Sequence, residues 1–305
     1  VVKDQMGEVQ QSEWAERVVR AIKQSFPEVN YQTWTLCERL IPHAVLCATH
    51  IAHWSMTFWE ARNLLYQVGY YLYQRGQYWE VEVFWKNAST ISERVLGPED
   101  LDTLSTMNNL AELYRIQGKY EQAEPLYQRT LEARERVFGR EHPDTLGTVN
   151  NLAELYRVQG KYEEAEPLYQ RALEARERVL GPEHPDTLGT ANNLALLYTY
   201  QGKYEEAEPL YQRALEARER VLGREHPDTL GTVNNLALLY AGQGKYEEAE
   251  LLYQRALVSY EQVLGANHPT TIKVRNNSNN LQEKMKQKTE SAHSKPKTSR
   301  KQPRK

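Results

Sequence analysis

A 42-residue period is the feature that most constrains how this chain of 305 residues can fold. Residues 143–184 return almost unchanged as residues 185–226, and the two copies differ at five of their 42 positions. Looser copies occupy residues 101–142 and 227–268. Self-similarity at a fixed period of this size is typical of solenoids, in which each repeat packs only against its neighbours.

Each copy has the pattern of two helices joined by a short turn. In residues 146–159 the apolar side chains recur at helical spacing, and Gly160 can adopt the left-handed backbone that ends a helix. A second helical pattern covers residues 162–180 and ends at Gly181. Pro167 lies early in this helix, where we expect an irregular turn and no break. We therefore predict an all-α fold, a right-handed superhelical solenoid of antiparallel helix pairs.

The repeat also carries the residues of a known pattern: Leu152, Ala153, Tyr156, Gly160, Tyr162, Ala165, Tyr169, Ala172 and Leu173. The 42-residue length, the NNLA run and the QGKY turn narrow the match. The chain resembles tetratricopeptide repeat proteins of the kinesin light chain type, over roughly residues 60–285. The same type of repeat occurs as the arm of NB-ARC-type signalling ATPases. The resemblance implies a non-enzymatic arm that binds a protein or a peptide.

Residues 1–57 precede the repeats, and we predict that they form a helical linker or cap. Residues 13–26 have the pattern of an amphipathic helix, and residues 34–54 that of a second helix, kinked or split at Pro42. The predicted apolar face of the first helix consists of Trp14, Val18, Ala21 and Ile22. Such Trp-rich helices resemble the segment that joins an NB-ARC core to its repeats. The core itself is not in this sequence, because the phosphate-binding motif GxxxxGK[ST] is not found in it.

The repeat array is predicted to cover residues 58–285, with about five repeats and a C-terminal capping helix. In that last helix Ser278 and Asn279 stand where the previous copy has leucine and alanine, and a polar outer face suits the end of a stack. From residue 286 onward the chain is rich in Lys, Ser, Thr, Gln and Pro without periodicity, which predicts a disordered basic tail over residues 286–305.

Charge is unevenly distributed along the chain. The net charge is −3, but residues 282–305 contain nine Lys or Arg against two Asp or Glu. A basic tail could contact nucleic acid, although a solvated linker is the simpler interpretation. The sequence shows no apolar run near the ~18 residues of a membrane span and no signal peptide. With only two cysteines, we expect a cytoplasmic protein. The first residue is Val, as in a fragment of a longer protein.

The near-identical copies act as an internal control for the location of function. Four of their five differences lie in the first helix and none lies inside the second. Three of these four share a face with the paired asparagines, because positions three and four apart are neighbours on a helix. In the proteins that this chain resembles, that face lines the concave surface. We predict a partner-binding face made of Asn108, Asn109, Glu112, Arg115, Asn150, Asn151, Glu154, Arg157, Asn192, Asn193, Leu196, Tyr200, Asn234, Asn235 and Leu238.

One half of this face is charged and the other is apolar, and asparagines run through both. Side-chain amides donate and accept hydrogen bonds, so a row of them could pair with the backbone of an extended peptide. Alternatively, the asparagines bridge neighbouring helices and bind nothing. Arg115 and Arg157 each follow a glutamate by three residues, which argues against a preference for acidic cargo. Each Glu–Arg pair could also be a solvated ion pair of about 0.3 kcal/mol.

Other candidate sites are weaker. His142, which recurs once per repeat before a proline, is predicted to be a loop or cap residue. His43, Cys47 and His50 have ligand-like spacing on one helix, but a packed helix is the favoured interpretation, and we predict no metal, cofactor or catalytic residue. The favoured function is a scaffold that senses a ligand within a larger signalling protein. The alternatives are a kinesin-light-chain-like cargo adaptor, an enzyme or metalloprotein built on the His43 face, and contact with nucleic acid through the tail.

Overall fold

The computed structural model describes residues 6–293, apart from the side chains of residues 31, 289 and 291–293. Within these residues there are thirteen α-helices and no strand, which confirms the predicted all-α class. A short 3-10 turn, Tyr31–Thr33, precedes the second helix. The helices are α1 Glu8–Ser25, α2 Trp34–His53, α3 Trp59–Gln74, α4 Tyr78–Val95, α5 Leu101–Ile116, α6 Tyr120–Phe138, α7 Pro143–Val158, α8 Tyr162–Val179, α9 Pro185–Gln201, α10 Tyr204–Val221, α11 Pro227–Gly242, α12 Tyr246–Val263 and α13 Pro269–His293.

The chain divides into two compact units, which we call unit 1 (residues 1–179) and unit 2 (residues 180–305). In unit 1 the helices α3 to α8 form three antiparallel pairs, and α1 and α2 pack on α3. In unit 2 the pairs are α9 with α10 and α11 with α12, and α13 packs on α12. Helix pairs with short connections are the expected building block of a solenoid.

The N-terminal helices differ from the prediction in two ways. Helix α1 begins at Glu8, and the residues that it buries are Ala15 and Val19, whereas Trp14 is 56% exposed and Val18 42%. The predicted apolar face was therefore wrong for Trp14, Val18 and Ala21, whereas Ile22 packs against the core as predicted. Trp14 and Val18 instead border a cleft of about 310 Å³. Helix α2 continues through Pro42 and is not split.

The C-terminal helix α13 also extends beyond its predicted end. It runs to His293, so the first eight residues of the predicted disordered tail are helical, and residues 294–305 lie outside the described part of the chain. Asn279 is exposed, as expected for a capping helix. Ser278 is only 6% exposed, so this predicted polar outer residue still occupies a core position.

Helix boundaries follow the residues that the sequence supplies. Gly160 has φ 77° and Gly181 has φ 94°, values that disfavour side chains with a Cβ. At the start of α7, Nδ1 of His142 accepts a hydrogen bond from the backbone N–H of Asp144 at 3.3 Å, and the other three repeat histidines cap their helices in the same way. The predicted cap role of these histidines is confirmed. Pro167 lies inside α8 without ending it, as predicted.

A buried arginine joins the second helices α6 and α10 to the hairpins that follow them. Arg134 of α6 is 4% exposed and donates hydrogen bonds to the carbonyl of Asp144 at 2.8 Å and to the Thr148 hydroxyl at 2.9 Å, both on α7. Its second terminal nitrogen donates to Ser105 of α5 at 2.9 Å. Arg218 makes the corresponding bonds from α10 to α11. A fixed fork of N–H groups suits this role, because one side chain satisfies several groups at once.

In the first hairpin, formed by α3 and α4, a different pair of residues packs between the helices. Ala111, Ala153, Ala195 and Ala237 of the later first helices face a buried tyrosine, but at the corresponding positions α3 has Gly69 and α4 has Trp85. The indole N–H of Trp85 donates to the carbonyl of Tyr66 at 3.2 Å. A Cβ on Gly69 would lie 2.5 Å from the Trp85 ring. The smaller residue thus compensates for the larger ring.

This exchange predicts a strong effect of a single methyl group. Gly69→Ala should destabilise the chain by about 1–3 kcal/mol, because the rigid Trp85 ring must move. The matched control is Gly147→Ala in α7, where the added Cβ would lie 3.6 Å from the Arg176 guanidinium. That change should be neutral or stabilising by up to about 1 kcal/mol, from helix propensity. Urea unfolding followed by circular dichroism measures both, and equal effects would contradict the proposed Gly69–Trp85 fit.

Candidate functional site

The predicted face of unit 1 is a network of charges that is largely covered. On α5 the carboxylate of Glu112 accepts two hydrogen bonds from Arg115, at 2.8 and 2.6 Å, and a third from the Tyr127 hydroxyl at 2.8 Å. The side chains of Glu112 and Arg115 are 21% and 16% exposed. The interpretation as a solvated ion pair is therefore wrong, because bidentate geometry and a buried hydroxyl hold the carboxylate.

The next hairpin repeats the arrangement and is linked to the first. Glu154 accepts from Arg157 at 2.8 and 2.6 Å and from the Tyr169 hydroxyl at 2.7 Å. A terminal nitrogen of Arg115 lies 3.6 Å from the Glu154 carboxylate, so the network crosses from α5 to α7. Burial by itself would raise the pKa of Glu154, but the hydrogen bonds and charges of Arg157 and Arg115 lower it to about 2. The four charges thus satisfy one another.

Unit 2 replaces this network with uncharged residues. In α9 Leu196 and Thr199 stand where α7 has Glu154 and Arg157. The Thr199 hydroxyl donates to the carbonyl of Ala195 at 2.8 Å and lies 3.4 Å from the buried Tyr211 hydroxyl, so the tyrosine keeps a polar neighbour. Leu196 is only 8% exposed and offers little surface to a partner. Tyr200, by contrast, is 50% exposed.

The asparagines of unit 2 bond to one another across the helices. Asn277 of α13 donates to Asn234 at 3.2 Å, Asn234 donates to Asn235 at 3.1 Å, and Asn235 donates to Asn192 of α9 at 3.4 Å. Asn192 in turn lies 3.5 Å from the acceptor oxygen of Asn193. Asn192 and Asn234 are 8% and 6% exposed. Asn235 and Asn277 thus bridge to the first asparagine of the preceding pair, and the first asparagines Asn192 and Asn234 are buried while Asn193 and Asn235 retain part of their surface.

In unit 1 the asparagines are tied differently. Asn109 donates to the Tyr66 hydroxyl of α3 at 2.9 Å, and Asn150 donates to Asn151 at 3.4 Å. Tyr66 and Tyr70 lie parallel on α3, with an angle of 2° between their rings. Tyr66 and Tyr70 were not among the predicted site residues, although the repeat period places them at the positions of Asn108 and Glu112.

The metal hypothesis finds no donor set within the described part of the chain. There, no three His, Cys, Asp or Glu side chains come together as a metal-binding group. His43 is exposed while Cys47 is buried, so they do not share a surface. Burial raises the pKa of the Cys47 thiol to about 11, which disfavours the thiolate that metals prefer. Between residues 6 and 293, no helix has both the length and the apolar content that a membrane crossing requires.

Comparison with known sequences identifies the repeats. The tetratricopeptide repeat family matches residues 103–144 with one sequence profile and residues 144–220, 186–262 and 230–293 with another. The chain belongs to the tetratricopeptide repeat family. These repeats are in general a non-enzymatic fold that supports protein–protein interaction.

Solved structures with similar folds are themselves repeat proteins. A Podosopora anserina kinesin light chain with nearly identical TPR-like repeats has a TM-score of 0.51 at 25% identity. The aligned region covers 65% of the present chain and 93% of that protein. BtubC (BKLC) from P. vanneervenii has a TM-score of 0.54 at 22% identity, with 82% and 92% covered. The Rap protein in complex with competence and sporulation factor has a TM-score of 0.52 at 15% identity, with 84% and 72% covered. At the latter two identities the likeness shows the fold alone.

Among curated proteins, a nucleotide-binding leucine-rich repeat (NLR)-like protein of Hyaloscypha variabilis is 39% identical over 90 residues. This match covers 30% of the present chain but only 9% of the relative. The similarity therefore concerns a small part of a much longer protein.

The charge network of unit 1 predicts a specific pH dependence. The pKa of Glu154 is lower in the folded chain, about 2 against an ordinary value of 4.5, so its ionised form stabilises the fold. This stabilisation is complete above pH 4.5 and is lost as the pH falls towards 2. Glu154→Gln should therefore cost about 3 kcal/mol at neutral pH, and almost nothing near pH 2.

The measurement is urea unfolding of both chains across this pH range. Glu174→Gln on the exposed surface of α8 is the control, and should change stability by less than about 0.5 kcal/mol at any pH. If the difference between the wild type and Glu154→Gln does not change with pH, the ionised network does not stabilise unit 1.

Proposed function

We propose that this chain is a non-enzymatic scaffold that captures an extended segment of a protein partner on the first-helix face of its repeats. Tetratricopeptide repeat proteins bind proteins or peptides, and the structural relative Rap is in complex with a factor. The face in unit 2 consists of the half-exposed residues Asn193, Tyr200, Asn235 and Leu238. These four residues are the part of the predicted site in unit 2 that keeps exposed surface.

Tyr200 is the observation that carries this proposal. Of the differences between the near-identical copies, Glu154/Leu196 and Arg157/Thr199 are explained by what surrounds the buried tyrosine. Val158/Tyr200 is different, because it adds a large aromatic ring that remains 50% exposed. Aromatic side chains of this kind are typical anchors of protein interfaces, since they bury a large apolar area at low entropic cost.

We further propose that the chain is the sensing arm of a longer nucleotide-binding signalling protein, in which an occupied face would shift the state of the enzyme core. The support is the matched stretch of the Hyaloscypha variabilis NLR-like protein. A kinesin-light-chain-like cargo adaptor is the competing interpretation, supported by the Podosopora anserina structure.

Binding to the face can be tested with peptides selected from a random phage-displayed library against the full chain. Tyr200→Ala should weaken binding of the selected peptides about tenfold or more. The matched control is Leu251→Ala, which removes a 69% exposed apolar side chain from α12 in the same unit. The control should bind as the wild type does. Fluorescence anisotropy gives the affinities, and circular dichroism confirms that both variants remain folded. Equal losses in both variants, or no selected peptide at all, would refute the proposed face.

The sensing-arm proposal makes a prediction about the reading frame that encodes this chain. The reading frame upstream of Val1 should continue in frame into a nucleotide-binding domain with a GxxxxGK[ST] loop. Sequencing the genomic locus and its transcript tests this directly. Coiled-coil heptads in the same place would instead favour the adaptor.

A further inference from the structure

We infer that the segment bound by the unit 2 face is uncharged and apolar. The inference rests on the proposed function and adds the chemistry of the partner. Its first basis is the composition of α9 and α11. After Asp186 and Asp228 in their first turns, neither helix contains a charged residue. On α13 the positions that correspond to Thr199 and Tyr200 carry the exposed charges of Glu283 and Lys284, which lie outside the α9 and α11 surface.

The second basis is the state of the polar groups. The amides of Asn234, Asn235 and Asn277 already donate to one another or to Asn192, at 3.1–3.4 Å. These amides therefore have less capacity left for the strong, charge-assisted bonds that hold a carboxylate. A charged group of the ligand that is buried against this face would lose its hydration without forming an ion pair.

The apolar groups point the same way. Tyr200 offers an exposed ring, and Leu238 and Ala241 are half-buried neighbours on α11. Covering such surface releases about 25 cal/mol per Å² of apolar area, which favours aliphatic and aromatic ligand side chains. The charged residues of unit 1 do not change this conclusion, because Glu112, Arg115 and Glu154 are already paired with one another.

The experiment is the composition of the peptides that the full chain selects from the random library. We expect enrichment of Leu, Ile, Val, Phe and Ala over Asp, Glu, Lys and Arg. The affinity of a selected peptide should change less than about twofold between about 50 and 500 mM NaCl, because no ion pair forms. A version of that peptide with one central apolar residue changed to Asp or Lys should bind about tenfold more weakly.

A charge placed in the face provides the reciprocal test. Leu238→Lys should weaken binding of the apolar peptides and shift the selection towards acidic ones. Val258→Lys is the matched control, because Val258 is 56% exposed on α12, and this variant should select as the wild type does. Acidic or basic peptides that bind the wild type through Tyr200 with strong salt dependence would overturn the inference and leave the proposed function intact. Failure to select any peptide would refute both.

Discussion

The contact on which each hairpin depends is a buried aromatic ring in the second helix. Tyr127, Tyr169, Tyr211 and Tyr253 are at most 1% exposed, and the hydroxyls of the first three bond to the first helix of their own hairpin. Because a buried hydroxyl needs a hydrogen-bond partner, the first-helix residues that contact it cannot vary independently. A carboxylate that accepts this bond in turn requires a counter-charge, which the arginine supplies in unit 1. In unit 2 the uncharged solution is Leu196 with Thr199 in the first hairpin and Leu238 with Ala241 at the same positions of the second.

This coupling changes how the differences between near-identical repeats are interpreted. If each difference is taken alone, Glu154/Leu196 and Arg157/Thr199 look like separate adaptations to a ligand. Around the tyrosine they are one exchange, since losing either charge alone would leave the other buried and unpaired. Gly69 and Trp85 are also a pair of residues that must change together, because the smaller residue offsets the volume of the larger one. Tyr200 lies near the buried Tyr253 of the next hairpin but keeps half of its surface exposed, which is why it carries more weight for function than the buried residues beside it.

Much of this could be predicted from the sequence, and what failed had a physical reason. The glycine caps and the histidine caps depend on local chemistry, so one copy of the repeat sufficed to predict them, whereas the period followed from comparing the copies. In α1, two adjacent lines of apolar residues, Trp14 with Val18 and Ala15 with Val19, both fit a helical face. Only the neighbouring helices decide which line is buried. The same holds for the asparagine pairs, where Asn234 is buried and Asn235 is not, although the two are chemically identical.

The two forms of the hairpin also separate stability from recognition. Ionised groups lose hydration when they are covered, and a well-packed apolar substitute is often as stable as an ion pair. Unit 2 shows that the fold accepts the apolar form, so the demands of stacking do not by themselves require Glu112, Arg115, Glu154 and Arg157. What differs between the units is the surface that remains outside. It consists of closed ion pairs on α5 and α7 of unit 1, and of apolar groups with paired amides on α9 and α11 of unit 2. A partner that contacts only the α9 and α11 surface gains from apolar contact and meets no ionised group there.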